Sequence, residues 1–194
     1  ICLTPAPAGP AILMRQGSSN TVVEGNTIID SSRGISLGLI GGVDHLGGTV
    51  RNNFIRWDPA APYAVDVGIY AASPNASISH NTVLTSGRYG SAIEVRIADT
   101  TNVEVENNLL DANITLRNGA MASVADNQTN AEAGWFSDPP KGDLHVSSAG
   151  AARAQLVPRS ASAIFDFDGM RRSAQTPVGA DEPVAILFRD GFED

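Results

Sequence analysis

One cysteine, Cys2, stands in 194 residues. An internal disulfide and a cysteine-ligated metal are therefore excluded, and no helix start or basic neighbour near Cys2 marks a reactive thiol. Long apolar runs are also missing: Ala11–Met14 and Val184–Phe188 fall far short of the ~20 residues a spanning helix needs. Positive charge is scarce, with 13 Lys plus Arg against 21 Asp plus Glu and a net charge of -8. No basic run is present to neutralise a phosphate backbone, so nucleic acid is not an expected partner. An initiator methionine and a basic-then-apolar leader are both lacking, because the chain opens at Ile1 in a Pro-rich stretch. It reads as a piece of a longer protein whose signal peptide or N-terminal half lies outside it. What remains is 42% hydrophobic and 18% charged, the balance of one soluble, folded domain.

Self-similarity carries most of the information. An aliphatic residue, an Asn three positions on and another aliphatic two further recur as Val23-Asn26-Ile28, Val50-Asn53-Ile55, Ile78-Asn81-Val83 and Val105-Asn108-Leu110. Val124-Asn127-Thr129 is a weaker fifth copy. The asparagines lie 27, 28, 27 and 19 residues apart, in the range of solenoid repeats with loops of varying length. Each copy alternates apolar and polar residues and is rich in Val, Ile and Thr, which predicts strands over Val22–Ile29, Thr49–Ile55, Ser77–Leu84 and Val103–Leu110. A second strand per repeat is expected at Gly34–Leu39, Val65–Ala71, Ser91–Ala98 and Asn113–Arg117.

Stacking each strand on its equivalent gives parallel sheets with rungs about 4.8 Å apart. The expected fold is all-β, a right-handed parallel β-helix of about five rungs and roughly 24 Å in height. Asn26, Asn53, Asn81, Asn108 and Asn127 are then a structural ladder. Their short amides tolerate the left-handed backbone of a tight corner and hydrogen-bond the copy above and below. The expected organisation is a coil or truncated rung over 1–17, rungs over 18–133, a C-terminal cap over 134–188 and a tail over 189–194, with the first rung an open edge.

The order Ile114–Gly119, Asp126-Asn127, Gly134–Phe136, Gly142–His145, Asp166–Arg171 and Val178–Glu182 resembles the C-terminal region of secreted bacterial right-handed β-helix repeat proteins, including those called choice-of-anchor proteins. The likeness covers roughly Ser18 to Glu182. Where that family usually reads Gly-Ser-Pro-Ala-Ile-Asp-x-Gly after the Leu-His pair, Arg159–Ile164 is a degraded version that runs straight into an Asp-Gly turn. The tail Leu187–Glu193 looks like a terminal motif of some secreted Gram-negative proteins. The resemblance implies a secreted or outer-cell-surface location. It leaves activity open, since the family includes polysaccharide lyases and glycosidases beside surface proteins without assigned chemistry.

If Ile35, Ile69, Ile93 and Ile114 form an inward column, then Ser36, Tyr70, Glu94 and Thr115 point outward from one sheet, followed by Gly38, Ala72, Arg96 and Arg117 two positions on. Tyr70, Glu94, Arg96 and Arg117 would form an exposed ridge, an aromatic ring for sugar packing beside guanidinium forks for carboxylates. Arg88 and Trp57, the latter as an aromatic loop lip, complete the candidate substrate-binding set. A lyase would draw its base and charge stabilisers from Arg96, Arg117, Tyr70, Arg88 or His80, though His80 reads first as a corner residue. A hydrolase would use Asp66 and Glu94, about 8 Å apart on neighbouring rungs. Asp44-His45 reads as a surface loop, and Asp166–Gly169 as an Asp-Gly turn rather than a calcium loop with Asp181 or Glu182. Gly34–Gly38 matches a nucleophile elbow only by pattern, because Ser36 lies inside a strand. The expected function is polysaccharide binding along the outer sheet by a monomer without cofactor or metal. The alternatives are a polysaccharide-active enzyme, lyase before hydrolase, and an adhesin-like spacer.

Overall fold

The computed structural model describes residues 9–39 and 42–183. The apolar run Val184–Phe188 and the tail 189–194 lie outside them. The described chain is all-β and is organised by three parallel sheets that it visits in rotation. The first sheet stacks Pro10–Met14, Arg33–Leu37, Ile69–Ala71, Ser91–Arg96 and Asn113–Arg117. The second stacks Val22–Glu24, Thr49–Arg51, Ser77–Ser79, Val103–Glu106 and Ala122–Ala125. The third stacks Thr27–Ile29, Phe54–Arg56, Thr82–Leu84 and Leu109–Leu110.

Every expected first strand is therefore two strands, one in the second sheet and one in the third. The bend between them has a local cause: the residue before each ladder asparagine is left-handed. Gly25, Asn52, His80, Asn107 and Asp126 all have φ between 51° and 66°. The ladder asparagines were expected to take this strain themselves, and they do not. Turning the chain one residue early leaves each of them free to aim its amide at the next circuit.

The ladder itself is continuous. Asn26 Nδ2 donates to Asn53 Oδ1 at 2.9 Å, Asn53 to Asn81 at 2.9 Å, Asn81 to Asn108 at 3.0 Å and Asn108 to Asn127 at 2.8 Å. Each acceptor oxygen also takes the backbone N–H of the same donor residue, at 2.9 to 3.2 Å. Asn53, Asn81 and Asn108 are fully buried, so these bonds form where an unpaired amide would cost about 1–3 kcal/mol.

The apolar columns stack in the same register. Ile35, Ile69, Ile93 and Ile114 are successive partners in the first sheet, Val23, Val50, Ile78, Val105 and Val124 in the second, and Ile28, Ile55, Val83 and Leu110 in the third. All of them but Val124 pack in a single core with Leu37, Trp57 and Val95, with Ile114 at its margin. Among the described residues the strands at either end carry exposed apolar side chains, Val22 and Ile29 on the first circuit and Leu116 and Val124 on the last.

The segment expected as a cap runs along the flank instead. Phe136–Asp138 pairs antiparallel with Asp143–Val146, and Leu156–Pro158 with Gln175–Pro177. The reason lies on the outer face of the third sheet, where Phe54, Leu84 and Leu109 need cover. They receive it from Trp135, Leu144, Val157, Val178 and Ala180. The left-handed corner supplies the polar attachment: Asn52 Nδ2 donates to Phe165 O at 2.7 Å, Asn107 Nδ2 to Pro158 O at 2.9 Å and Arg172 Nη2 to Asn52 Oδ1 at 3.0 Å.

Truncating the middle of the ladder should cost more than truncating its end. Asn81→Ala orphans donors and acceptors on two buried neighbours and is expected to destabilise by about 3 kcal/mol or more, whereas Asn127→Ala, at the partly exposed end, is expected to cost about 1 kcal/mol. Urea unfolding of the two variants checks the ordering, and equal losses would remove the ladder as a stabilising element.

Candidate functional site

The outward column of the first sheet has the expected register. Ser36 pairs with Tyr70, Tyr70 with Glu94, Glu94 with Thr115 and Arg96 with Arg117. Its expected exposure does not hold. Tyr70 and Glu94 are fully buried, because the connections over this face close on the sheet: Val67 and Ala72 are buried against the Tyr70 ring, and Tyr89 and Ile97 pack over them. In place of an open ridge there is a half-buried network of charge.

Its centre is Arg96, whose guanidinium contacts both expected carboxylates. Arg96 Nη2 donates to Asp66 Oδ1 at 3.2 Å, and Arg96 Nε donates to Glu94 Oε2. On one side Arg33 Nε donates to Asp66 Oδ2 at 3.0 Å. On the other, Arg117 Nη2 lies 2.8 Å from Glu94 Oε1. The Tyr70 ring is held between two guanidinium groups, with Arg33 Cζ 4.6 Å and Arg96 Cζ 5.1 Å from its centroid. Three arginines thus share two carboxylates, and the Arg117 side chain, 47% exposed against 13% for Arg96, is the open end of the network.

The electrostatics favour fixed charge. Burial opposes ionisation of Asp66, but hydrogen bonds and charge from Arg33, with Arg96 beyond, outweigh it and hold the carboxyl below its ordinary value. Burial also works against the charge on Arg96, and the bond and charge of Glu94 overcome it, raising the guanidinium further. Tyr70 and Tyr89 are raised too, both chiefly by burial, Tyr89 also by the charges of Glu94 and Asp66. A general acid needs a proton to give near neutral pH and a general base needs a free lone pair. Asp66 as an ionised carboxylate offers no proton, and the raised arginine and tyrosines offer no base. The expected hydrolase pair is brought together, but onto one guanidinium rather than across a gap for water and sugar.

The other candidates are placed elsewhere. Trp57 is fully buried with its indole N–H bonded to Ser31 O, so the expected aromatic lip is corrected to a core anchor for residues 57–63. Arg88 donates to the carbonyls of Asp58 and Tyr63 and holds that same loop. Ser36 is buried and donates to Gly38 O at 2.8 Å, with no base bonded to it among the described residues. His45 is no surface-loop residue: it is buried, its Nδ1 donating to Ser73 Oγ at 2.8 Å and its Nε2 accepting from Thr21 Oγ1 at 2.9 Å. Asp166 Oδ1 accepts from the amides of Asp168 and Met170 at 3.0 and 2.7 Å, the bonding of an Asp-Gly turn. Two surface hollows of about 620 and 560 Å³, beside Arg51 and Phe165 and beside Arg56 and Asp111 respectively, contain none of the network residues.

Sequence reasoning missed Arg33 and Tyr89. Strict alternation from Ile35 assigns Arg33 to the inner face, yet it turns out at the start of its strand and donates to Ser36 Oγ at 3.3 Å. Tyr89 sits in a connection, where no periodicity reports which way a ring faces. No family model, curated protein or solved structure matches the chain.

His80 is a corner residue, as expected, and a chemically silent one. Its Nδ1 donates to Gly179 O at 3.2 Å, and its Nε2 accepts from Asn107 Nδ2 at 3.0 Å. Burial, with the Arg172 charge nearby, lowers its pKa to about 3. The unfolded chain therefore takes a proton below about pH 6.5 that the folded chain refuses. This contribution is whole above pH 6.5 and drains as the pH falls toward 3, by about 1.4 kcal/mol per pH unit. His80→Asn keeps a residue that tolerates the left-handed corner, and in urea titrations it is expected to flatten the loss of stability from pH 6.5 to 4.5. Identical pH slopes for variant and wild type would exclude the neutral buried imidazole.

Proposed function

We propose that the chain is a right-handed parallel β-helix that binds acidic polysaccharide on the outer face of its first sheet, at the open end of the arginine network, as a monomer secreted or held at the cell surface. The winding is supported by the rotation through three parallel sheets and by the strong physical preference for right-handed connections between parallel strands. The location rests on the family resemblance alone.

The observation that carries the binding reading is the local surplus of cation in an acidic chain. Arg33, Arg96 and Arg117 face Asp66 and Glu94 in a protein of net charge -8. Glu94 is the one ion-pair partner of Arg117 among the described residues, and the rest of that guanidinium faces solvent. A planar fork held in place by a buried carboxylate is pre-organised for a uronate carboxylate. Binding is favoured over catalysis because Asp66 and Glu94 are both drawn onto the Arg96 guanidinium rather than set across a gap for water and sugar.

The test is retention on immobilised polygalacturonate, alginate and neutral dextran at low salt, with absorbance of unsaturated uronates followed in parallel. Retention on the acidic polymers and not on dextran is expected, weakened about tenfold by Arg117→Ala, the loss of one charge-assisted contact of about 1.5 kcal/mol. Equal retention on dextran, or none on any polymer, would leave the network an internal strut and the chain a spacer. Unsaturated product would replace the binding reading with a lyase.

A further inference from the structure

Away from the arginine network, three parts of the flank segment meet at one imidazole. His145, on the Asp143–Val146 strand, presents Nε2 to Asp168 Oδ1 at 3.2 Å, and ligand atoms of His145, Asp168 and Asp181 all lie within 4.8 Å of one another. The other face of the ring is already fixed, since His145 Nδ1 lies 2.6 Å from Asp143 Oδ1. A carboxylate on the distal nitrogen orients a ligating imidazole and raises its basicity, the usual outer-shell arrangement around a bound metal. Phe54 and Phe167 stand edge-on to the ring at 5.0 and 5.5 Å and stack on each other at 4.0 Å, which closes one side with an apolar wall.

The buried member of the set is anchored at one oxygen. Asp181 is 4% exposed; its Oδ2 accepts from Val146 N at 2.7 Å, and among the described residues its Oδ1 accepts no hydrogen bond. The surroundings are acidic, with two cations nearby. Asp143, Asp166, Asp168, Asp181 and Glu182 are gathered here; Lys141 pairs with Asp138 beside Asp143, and the charge of Arg172 acts on Asp166, Glu182 and Asp181 while its Nη2 donates to Asn52 Oδ1 and the carbonyls of Gly179 and Ala180.

We propose that His145 Nε2, Asp168 and Asp181 bind one divalent transition metal ion of the Zn²⁺ type, with Asp143 as the outer-shell partner of His145. An imidazole with two carboxylates suits zinc, whereas calcium asks for six to eight oxygens. Binding replaces the proton on His145 Nε2, which is released to solvent, and leaves at least one coordination position for water or a ligand. The ion would tie the Asp143–Val146 strand, the 166–169 turn and Asp181 together, and so staple the flank segment to itself.

The test uses the untagged chain, stripped with chelator and titrated calorimetrically with ZnCl₂ and, separately, CaCl₂. One Zn²⁺ per chain is expected, with a rise in melting temperature on zinc that calcium does not produce. Asp168→Asn, at a partly exposed turn position, is expected to keep the fold by circular dichroism and weaken zinc binding at least tenfold, as is His145→Gln. Sub-stoichiometric or undetectable zinc, unchanged affinity in both folded variants, or an equal response to calcium would each overturn the site and leave His145 a surface ion pair with its two aspartates.

Discussion

Everything in this chain depends on a buried amide being satisfied by its copy one circuit away. A ladder asparagine cannot move a single position without stranding its own amide and the oxygen of its neighbour, and burial makes each of those losses expensive. The ladder therefore fixes the register of the second and third sheets, which flank it, and through them that of the first. The loops then vary freely between circuits: the ladder spacing shortens from 27 to 19 residues at the last step, yet Asn108 still meets Asn127 at 2.8 Å. Length differences are absorbed outside the sheets, where loop closure costs little per added residue.

This is why register was legible in the sequence and exposure was not. The partners of Ile35 and Ser36 on successive circuits follow from alternation plus the asparagine spacing, and both columns stack as read. Whether an outward side chain meets water depends on what the connections do, and those carry no period. Tyr70 and Glu94 have the expected direction, but the chain around Tyr89 and Ile97 folds over them. Arg33 escaped for a related reason, since alternation fails at a strand start where the backbone is still turning. The same spacing also held a second column that could have been found: Asn20, Gly47, Asn75 and Asn102 are all left-handed, and Asn102 Nδ2 donates to Asn75 Oδ1 at 3.2 Å. One glycine among three asparagines hides the repeat from a search on residue identity, though glycine and asparagine meet the same backbone demand.

The charge distribution follows the same division between stacked and unstacked parts. Where parallel strands stack, the outward column repeats at one strand spacing, so like charges placed there repel and opposite charges pair. The chain alternates them along the first sheet: Arg33 and Arg96 bracket Asp66, and Arg96 and Arg117 bracket Glu94. With a guanidinium at each end of the run, the network cannot balance itself. Its surplus sits where the last stacked strand, Asn113–Arg117, meets solvent. That position gives Arg117 its exposure and separates it from Arg33 and Arg96, which the neighbouring circuits and connections enclose.

The corner column links the coil to the flank. All five members need only a left-handed backbone, so glycine, asparagine, histidine and aspartate meet the demand equally, and the side chain is left free for another purpose. The three middle members use that freedom. Asn52 binds Phe165 O and Arg172, His80 accepts from Ser160 N and donates to Gly179 O, and Asn107 reaches Pro158 O. The outer members, Gly25 and Asp126, make no such attachment among the described residues. A segment held by consecutive corners at one rung spacing must run along the coil axis rather than across its end. The same polar side chains that permit the turn therefore decide that the C-terminal segment lies on the flank, where it covers Phe54 and Leu109 and brings His145, Asp168 and Asp181 together.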